Sequence, residues 1–134
     1  VYQAGTLSGN PVAMAAGITQ LRILKSHPEI YTTIHKRADQ LFGRLKKIAA
    51  ASSVPAVVNH IGSLGCVFFS KEPVVDYTTA KKADTQSYKA FFHHMLDSGI
   101  HLAPSQFEAM FISYAHSEDD IDYTLACAEE FFIG

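Results

Sequence analysis

The apolar residues of the segment 28–51 recur every three or four positions, and this period constrains the fold more than any other feature. The recurring residues are Ile30, Ile34, Ala38, Leu41, Leu45 and Ile48. Such spacing places apolar side chains on one face of an α-helix, and charged residues such as Arg37 and Lys47 fall mostly on the other face. The segment therefore predicts a long amphipathic helix that packs on a core.

A β-hairpin is predicted after this helix. The apolar runs 56–61 and 64–69 have the length and composition of strands, and Gly62-Ser63 between them is typical of a tight turn. A loop is then predicted to about Tyr77.

The C-terminal part predicts alternating helices and strands. A helix is expected over 83–97, because Gly99 lies where a C-terminal glycine ends a helix. Two short strands are predicted at 100–103 and 109–114. A last helix follows Ser117, which is a favoured N-cap and precedes an acidic first turn.

These elements predict an α+β fold with a small, mostly antiparallel sheet covered by helices. The 134 residues, of which 48% are hydrophobic, suffice for one domain with a real core. We expect a single domain over 1–134, divided into an opening loop (1–11), helices (11–51) and an α+β sheet region (55–134).

Charge and hydropathy argue against two classes of partner. The net charge is −2, and the adjacent basic residues form only three separate pairs, Lys36-Arg37, Lys46-Lys47 and Lys81-Lys82, so we expect no nucleic-acid partner. No segment resembles a signal peptide or a membrane span, which favours a cytoplasmic protein without a membrane partner. Cys66 and Cys127 lie far apart in apolar segments and are interpreted as small core residues. No disulfide is expected between them, which fits a protein of a reducing compartment.

The stretch GTLSGNP, residues 5–11, leads into a helix predicted over 11–26, with Asn10 as its N-cap and Pro11 at its first position. Glycines and hydroxyl groups ahead of a helix suit the binding of a phosphate, with Thr6 and Ser8 as donors. The same composition also suits a simple helix cap, and both interpretations stay open. No Gly-Lys-Ser/Thr follows, so this is not a Walker loop.

The other polar residues give weaker evidence for a functional site. Glu108 follows a loop between two predicted strands and either faces solvent or lines a cleft. His93 and His94 are adjacent on a predicted helix and point roughly 100° apart, so they cannot share one metal ion. No other spacing of histidines with carboxylates suggests a metal site, and none is expected.

Three strings carry a resemblance to a known family: VYQAGTLSGNPVAMAAG, AKKADTQSYKAFFHHMLDSGIHLAPSQFEAMFIS and AHSEDDID. They resemble the C-terminal part of the glutamate-1-semialdehyde 2,1-aminomutases, which belong to the class-III pyridoxal-phosphate-dependent aminotransferases. The resemblance implies the C-terminal domain of a fold-type-I transferase. It also implies isomerisation of (S)-4-amino-5-oxopentanoate to 5-aminolevulinate in tetrapyrrole (porphyrin) biosynthesis, with pyridoxal or pyridoxamine 5′-phosphate as cofactor. Homodimerisation, and glutamyl-tRNA reductase as a channelling partner, are implied as well.

The resemblance also implies roles for particular residues. Gly5 and Thr6 would contact the phosphate of the cofactor bound mainly by the other subunit, with Tyr2 as a further candidate close by. Glu108 would lie near the substrate, where it can interact with the amino group. Family members that grip an α-carboxylate use an arginine in this last domain, and here no arginine follows Arg44.

The family's Schiff-base lysine lies upstream of GTLSGNP, and none of the eight lysines here resembles that motif. We therefore expect no catalytic residue in this chain, no activity of the chain alone and no retention of the cofactor by it. Two alternatives stay open: a class-III aminotransferase with another amine donor, and a non-catalytic stand-alone domain that kept only the fold.

Overall fold

A computed structural model describes residues 5–134, so the candidate Tyr2 lies outside the described residues. Its contacts divide the chain into two compact units, one ending at Thr32 and one spanning Thr33–Gly134. The described elements are α1 (Pro11–Ser26), α2 (Glu29–Ala51), β1 (Val57–Ile61), β2 (Leu64–Phe68), α3 (Tyr77–Ala80), α4 (Thr85–Asp97), β3 (Met110–Phe111) and α5 (Glu118–Ile133). The α+β class is confirmed.

In the first unit, α1 begins where the sequence predicts it. The Asn10 side chain accepts hydrogen bonds from the amides of Val12 and Ala13, at 3.0 and 3.1 Å, and Pro11 occupies the first turn. Asn10 thus caps the helix, as expected from its position before a proline. No residue of α1 is buried.

In the second unit, three antiparallel strands form a sheet in the order β1-β2-β3. The predicted hairpin is confirmed, and Gly62 in its turn has a φ of +53°, which favours glycine. One face of the sheet packs on α2, α4 and α5. The core includes Ala38, Leu41, Phe42, Leu45, Val58, Val67, Phe91, Met95, Leu125 and Phe132. Of the predicted stripe of α2, Ala38, Leu41 and Leu45 lie in this core and Ile48 packs at its edge. Ile30 and Ile34 are half-buried outside it, and the spacing missed Phe42, which is fully buried.

The other face of the sheet is only partly covered. Phe68 packs there with Val74, Ala80 and Ala83, and half-buried Cys66 lies against this second cluster. The prediction of a core cysteine is therefore confirmed for Cys127, which is buried. It is wrong for Cys66, because alternation along β2 turns that thiol to the face away from the main core.

The predicted strand at 100–103 is wrong. The amide of Ile100 donates to the carbonyl of Met95 at 2.8 Å, and Gly99 has a φ of +80°. The carbonyl of Ala103 accepts a hydrogen bond from the Tyr88 hydroxyl at 2.7 Å. Both ends of the segment are thus bonded to α4, so its backbone joins no strand.

The strand predicted at 109–114 shortens to Met110–Phe111. Its end is diverted into a turn, because the ring Nδ1 of His116 lies 3.0 Å from both the amide and the hydroxyl of Ser113. The short helix α3 was not predicted. Its N-terminus is capped by a capping box, in which the Asp76 carboxylate accepts a hydrogen bond from the amide of Thr79 at 2.7 Å.

The helix expected from residue 83 begins at Thr85, because Asp84 is its N-cap. Hydrogen bonds from the Ser87 hydroxyl and from the amides of Gln86 and Ser87 hold the pKa of Asp84 below its ordinary value of 3.8. A carboxyl whose pKa is lower in the folded chain stabilises the fold above the ordinary value, and this contribution is lost as the pH falls through the lowered pKa. The pKa values of Asp76 and Asp120 are lowered in the same direction.

We therefore expect the melting temperature of the chain to fall steeply below the ordinary pKa of these caps. In Asp84→Asn the capping acceptor is kept but cannot titrate, so the drop in melting temperature between neutral pH and about pH 3 is expected to be smaller. Circular dichroism melts at both pH values measure it. Equal drops in the variant and the parent would contradict a stabilising role for the Asp84 carboxylate.

Candidate functional site

The predicted cofactor residues Gly5 and Thr6 lie in an exposed loop that precedes α1. Two successive turns shape it: the amide of Ser8 donates to the carbonyl of Gly5 at 2.9 Å, and the amide of Asn10 donates to the carbonyl of Leu7 at 3.1 Å. Gly9, third in the second turn, has a φ of +79°, as a type II turn requires. The loop thus has a defined backbone that leaves the side chains of Thr6 and Ser8 exposed.

This loop fits part of a phosphate site. Asn10 already occupies the amides of Val12 and Ala13, so those two donors are not free for an anion. The hydroxyls of Thr6 and Ser8 remain, and residues 5–10 contain no lysine or arginine. Neutral donors of this kind can contact a phosphate whose charge is balanced by groups elsewhere. The cap interpretation is therefore confirmed, and it does not exclude a contact between phosphate and the hydroxyls.

The predicted substrate residue Glu108 lies at the end of an exposed loop just before β3. Its backbone is held on both sides: its amide donates to the carbonyl of Ser105 at 3.1 Å, and its carbonyl lies 3.8 Å from the thiol Sγ of Cys66. Within residues 5–134 no hydrogen bond or ion pair involves its carboxylate. A carboxylate on a fixed backbone, exposed and without a partner in the described chain, can receive a cationic group.

Two buried polar side chains that the sequence analysis missed hold this loop. The Tyr88 hydroxyl donates to the carbonyl of Ala103 at 2.7 Å, and Nε2 of Gln106 lies 3.4 Å from the carbonyl of Ala83. Tyr88 is 5% exposed and Gln106 is 2% exposed. Gln106 lies in a string that carries the family resemblance, but nothing in the sequence shows its burial, and a tyrosine on an apolar helix face is indistinguishable in sequence from a core aromatic residue.

Burial raises the pKa of Tyr88 to about 12, with smaller contributions from the negative charges of Cys66 and Glu108. The phenol therefore stays protonated at neutral pH and keeps donating to the loop.

Exposed aromatic residues lie on both sides of Glu108 in the chain. Phe107 beside it is 50% exposed and Phe111 is 64% exposed. Phe111 pairs with Leu64, which pairs with Ile61, so an exposed apolar row crosses all three strands. Glu108 is thus a charged group at the edge of an uncovered apolar surface.

A cleft of about 650 Å³ in the second unit lies elsewhere. Leu41, Met95 and Ile121 contribute to its wall, and Glu108 does not. Two of its hydroxyl groups are already engaged: that of Tyr123 donates to the carbonyl of Ser98 at 3.0 Å, and that of Thr124 donates to the carbonyl of Asp120 at 2.7 Å. The wall of the cleft also carries His101 and His116.

The two arginines of the second unit hold α2 to the start of α5 and its preceding turn. Arg37 donates to the carbonyl of Tyr114 at 2.8 Å, and Arg44 contacts the Asp122 carboxylate at 2.6 Å. Each guanidinium thus donates through one nitrogen to α5 or to the turn before it. No cluster of three or more metal-ligating side chains occurs among residues 5–134. None of the helices described in 5–134 has the length and hydropathy to cross a membrane.

The chain is similar in sequence to proteins named glutamate-1-semialdehyde 2,1-aminomutase. It is 58% identical over 130 residues to that of Ruminiclostridium cellulolyticum, covering 97% of this chain and 30% of the relative. It is 54% identical over 131 residues to aminomutase 1 of Lachnoclostridium phytofermentans, covering 98% of this chain and 31% of the relative. The protein of Thermus thermophilus is 47% identical. The chain thus spans about 30% of the length of the curated relatives it matches. It matches no family model.

Solved structures agree on the fold. A β-phenylalanine aminotransferase from Variovorax paradoxus aligns with a TM-score of 0.84 at 27% identity, over 98% of this chain and 30% of that one. A glutamate-1-semialdehyde aminomutase variant from Pseudomonas aeruginosa PAO1, in complex with PMP, aligns with a TM-score of 0.68 at 18% identity, over 77% of this chain and 23% of that one.

Proposed function

We infer that this chain belongs to the glutamate-1-semialdehyde 2,1-aminomutases and forms the C-terminal part of such an enzyme. The observation that carries this inference is identity of 47–58% to proteins of that name over 97–98% of the chain. The complete enzyme would isomerise (S)-4-amino-5-oxopentanoate to 5-aminolevulinate, a step of tetrapyrrole biosynthesis. Pyridoxal or pyridoxamine phosphate, when bound, supplies the chemistry that moves an amino group between two carbons.

Glu108 would bind the protonated amino group of the substrate. Its carboxylate is exposed and free of partners within 5–134, and its backbone is fixed by Ser105 and Cys66. A carboxylate prefers a cation, and the surrounding apolar side chains reduce competition by water once they are covered. Glu108 would therefore orient the amino end of the substrate and take no part in covalent chemistry.

Gly5 and Thr6 would contact the cofactor phosphate, with Tyr2 as a further candidate. The exposed hydroxyls of the loop and its lack of cationic residues suit a contribution to a site completed by another subunit. This requires a homodimer. The apolar side chains exposed on α1, among them Val12, Ile18 and Leu21, support burial of this helix in a larger assembly.

The remaining attributes rest on the resemblance. We propose that the enzyme is cytoplasmic and that it receives its substrate from glutamyl-tRNA reductase. We also propose that the 134 residues alone neither retain the cofactor nor convert the substrate. Co-purification of the reductase with the full-length protein would test the second of these.

A second candidate is a class-III aminotransferase with another amine donor. The TM-score of 0.84 to the β-phenylalanine aminotransferase favours it, but the identity is only 27%. The absence of an arginine after Arg44 argues against it, since the aminotransferases of this group that grip an α-carboxylate use an arginine in this last domain.

The test is an assay of the full-length protein that contains this chain. We expect 5-aminolevulinate from (S)-4-amino-5-oxopentanoate without an added amine donor, and no product from residues 1–134 alone. Strict dependence on an external amine would favour the aminotransferase. An open reading frame beginning at or near Val1 would exclude catalysis by this protein.

A further inference from the structure

Gln106 is unusual because it is a buried primary amide whose oxygen has no partner. It is 2% exposed, its Nε2 lies at a long 3.4 Å from the carbonyl of Ala83, and its Oε1 is unpaired within residues 5–134. A buried polar atom without a partner destabilises a fold, whereas leucine of similar size would not carry that cost. Stability alone therefore does not account for a glutamine here, two residues before Glu108.

Tyr88 holds the start of the same loop. Its ring packs edge-on against Phe69 and Phe91, at centroid distances of 6.4 and 6.5 Å, which fixes the hydroxyl in place. From there it donates to the carbonyl of Ala103, just before the loop begins. A neutral phenol makes this contact over the whole physiological pH range.

The two contacts restrain the part of the loop that precedes the free carboxylate. Ala103 and Gln106 bracket Pro104 and Ser105, and the carbonyl of Ser105 accepts from the amide of Glu108 at 3.1 Å. Displacement of Ser105 would therefore move Glu108. Within 5–134 the Glu108 carboxylate makes no hydrogen bond or ion pair of its own, so the position of this group depends on its backbone.

We propose that Tyr88 and Gln106 are positioning residues that hold Glu108 in the orientation needed to bind the substrate amino group. This inference rests on the proposed function of Glu108. Neither residue touches the substrate; both act by fixing the loop 104–108.

The test is a double-mutant cycle in the full-length, cofactor-loaded protein. Tyr88→Phe removes the hydroxyl and keeps the ring, and Gln106→Leu keeps the volume and removes the amide. Each is expected to lower kcat/KM by about three- to tenfold, mainly through a higher KM, because the loss of one neutral hydrogen bond has an effect of about this size. In a Glu108→Gln background neither is expected to lower kcat/KM further.

Tyr123→Phe is the matched control, because it also removes a tyrosine hydroxyl that donates to a backbone carbonyl, that of Ser98. It should leave kcat/KM unchanged, both in the parent and in the Glu108→Gln background. Hydrogen exchange of the peptide 104–110 should quicken in Tyr88→Phe and Gln106→Leu but not in Tyr123→Phe.

The outcomes separate the two ideas. If Glu108→Gln lowers kcat/KM and the loop variants add their full effects to it, the positioning role is overturned and the role of Glu108 stands. If Glu108→Gln has no effect, both are overturned. Unchanged exchange in the loop overturns the positioning role whatever the kinetics.

Discussion

Replacing Gly65 by alanine is expected to destabilise the second unit severely. A Cβ built at Gly65 would overlap the ring of Phe42, reaching Cδ1 at 2.6 Å and Cε1 and Cζ more closely still. Phe42 is fully buried and stacks on His60 at a centroid distance of 5.5 Å, so its ring has no free space to retreat into. We expect a loss of about 3 kcal/mol, at the upper end of overpacking costs. The melting temperature should fall by about 10 °C.

Gly43→Ala is the matched control. Gly43 lies inside α2, and a Cβ there would meet no atom within 4 Å, so alanine should stabilise the helix by about 0.5–1 kcal/mol. The double variant Phe42→Leu/Gly65→Ala should lose less stability than the sum of its single changes, because the smaller side chain leaves room for the new methyl group. A Gly65→Ala melt that matches the parent would refute the close approach of β2 to α2.

The second large effect is expected from Glu108→Gln in the full-length enzyme. Glutamine keeps the shape but replaces an ion pair by a neutral hydrogen bond, and hydrogen bonds to charged groups contribute about 1.5–3 kcal/mol. This corresponds to a loss of roughly 10- to 100-fold in kcat/KM, mainly in KM, because the contact with the amino group exists before the reaction begins.

Glu129→Gln is the control for loss of charge alone. Glu129 is exposed on α5, so kinetic constants should not change. A substrate analogue without the amino group should bind equally well to the parent and to Glu108→Gln. If Glu108→Gln and Glu129→Gln behave alike with the true substrate, Glu108 does not contact the amino group.

The helices were the most predictable part of the fold. Asn10-Pro11, Ser117 and Gly99 mark helix ends by local backbone chemistry, and each acts as expected. The same locality explains the α2 stripe, because residues three and four apart in sequence share a helix face regardless of the rest of the chain.

The strands after α4 were less predictable because their partners are distant. An apolar run such as 100–103 has the composition of a strand, but the hydrogen bond of Tyr88 to Ala103 and that of Ile100 to Met95 direct its backbone to α4. Composition does not show which hydrogen-bond partners the backbone groups of this segment have.

At the candidate site, the resemblance of the sequence supplied Gly5, Thr6 and Glu108, and the tertiary structure supplied their surroundings. It added the anchors Tyr88 and Gln106, and it placed Cys66 on the sheet face away from the main core, with its thiol near the Glu108 carbonyl.

The sequence by itself determined the helix ends, the hairpin and the family resemblance, because these depend on residues adjacent in the chain. Only the tertiary structure decided that Gly65 must lack a side chain, since the ring it would strike belongs to Phe42, 23 positions earlier. It likewise decided that the Glu108 loop is held by α4. Contacts between residues far apart in sequence follow from how helices and strands pack, and no local pattern encodes that packing.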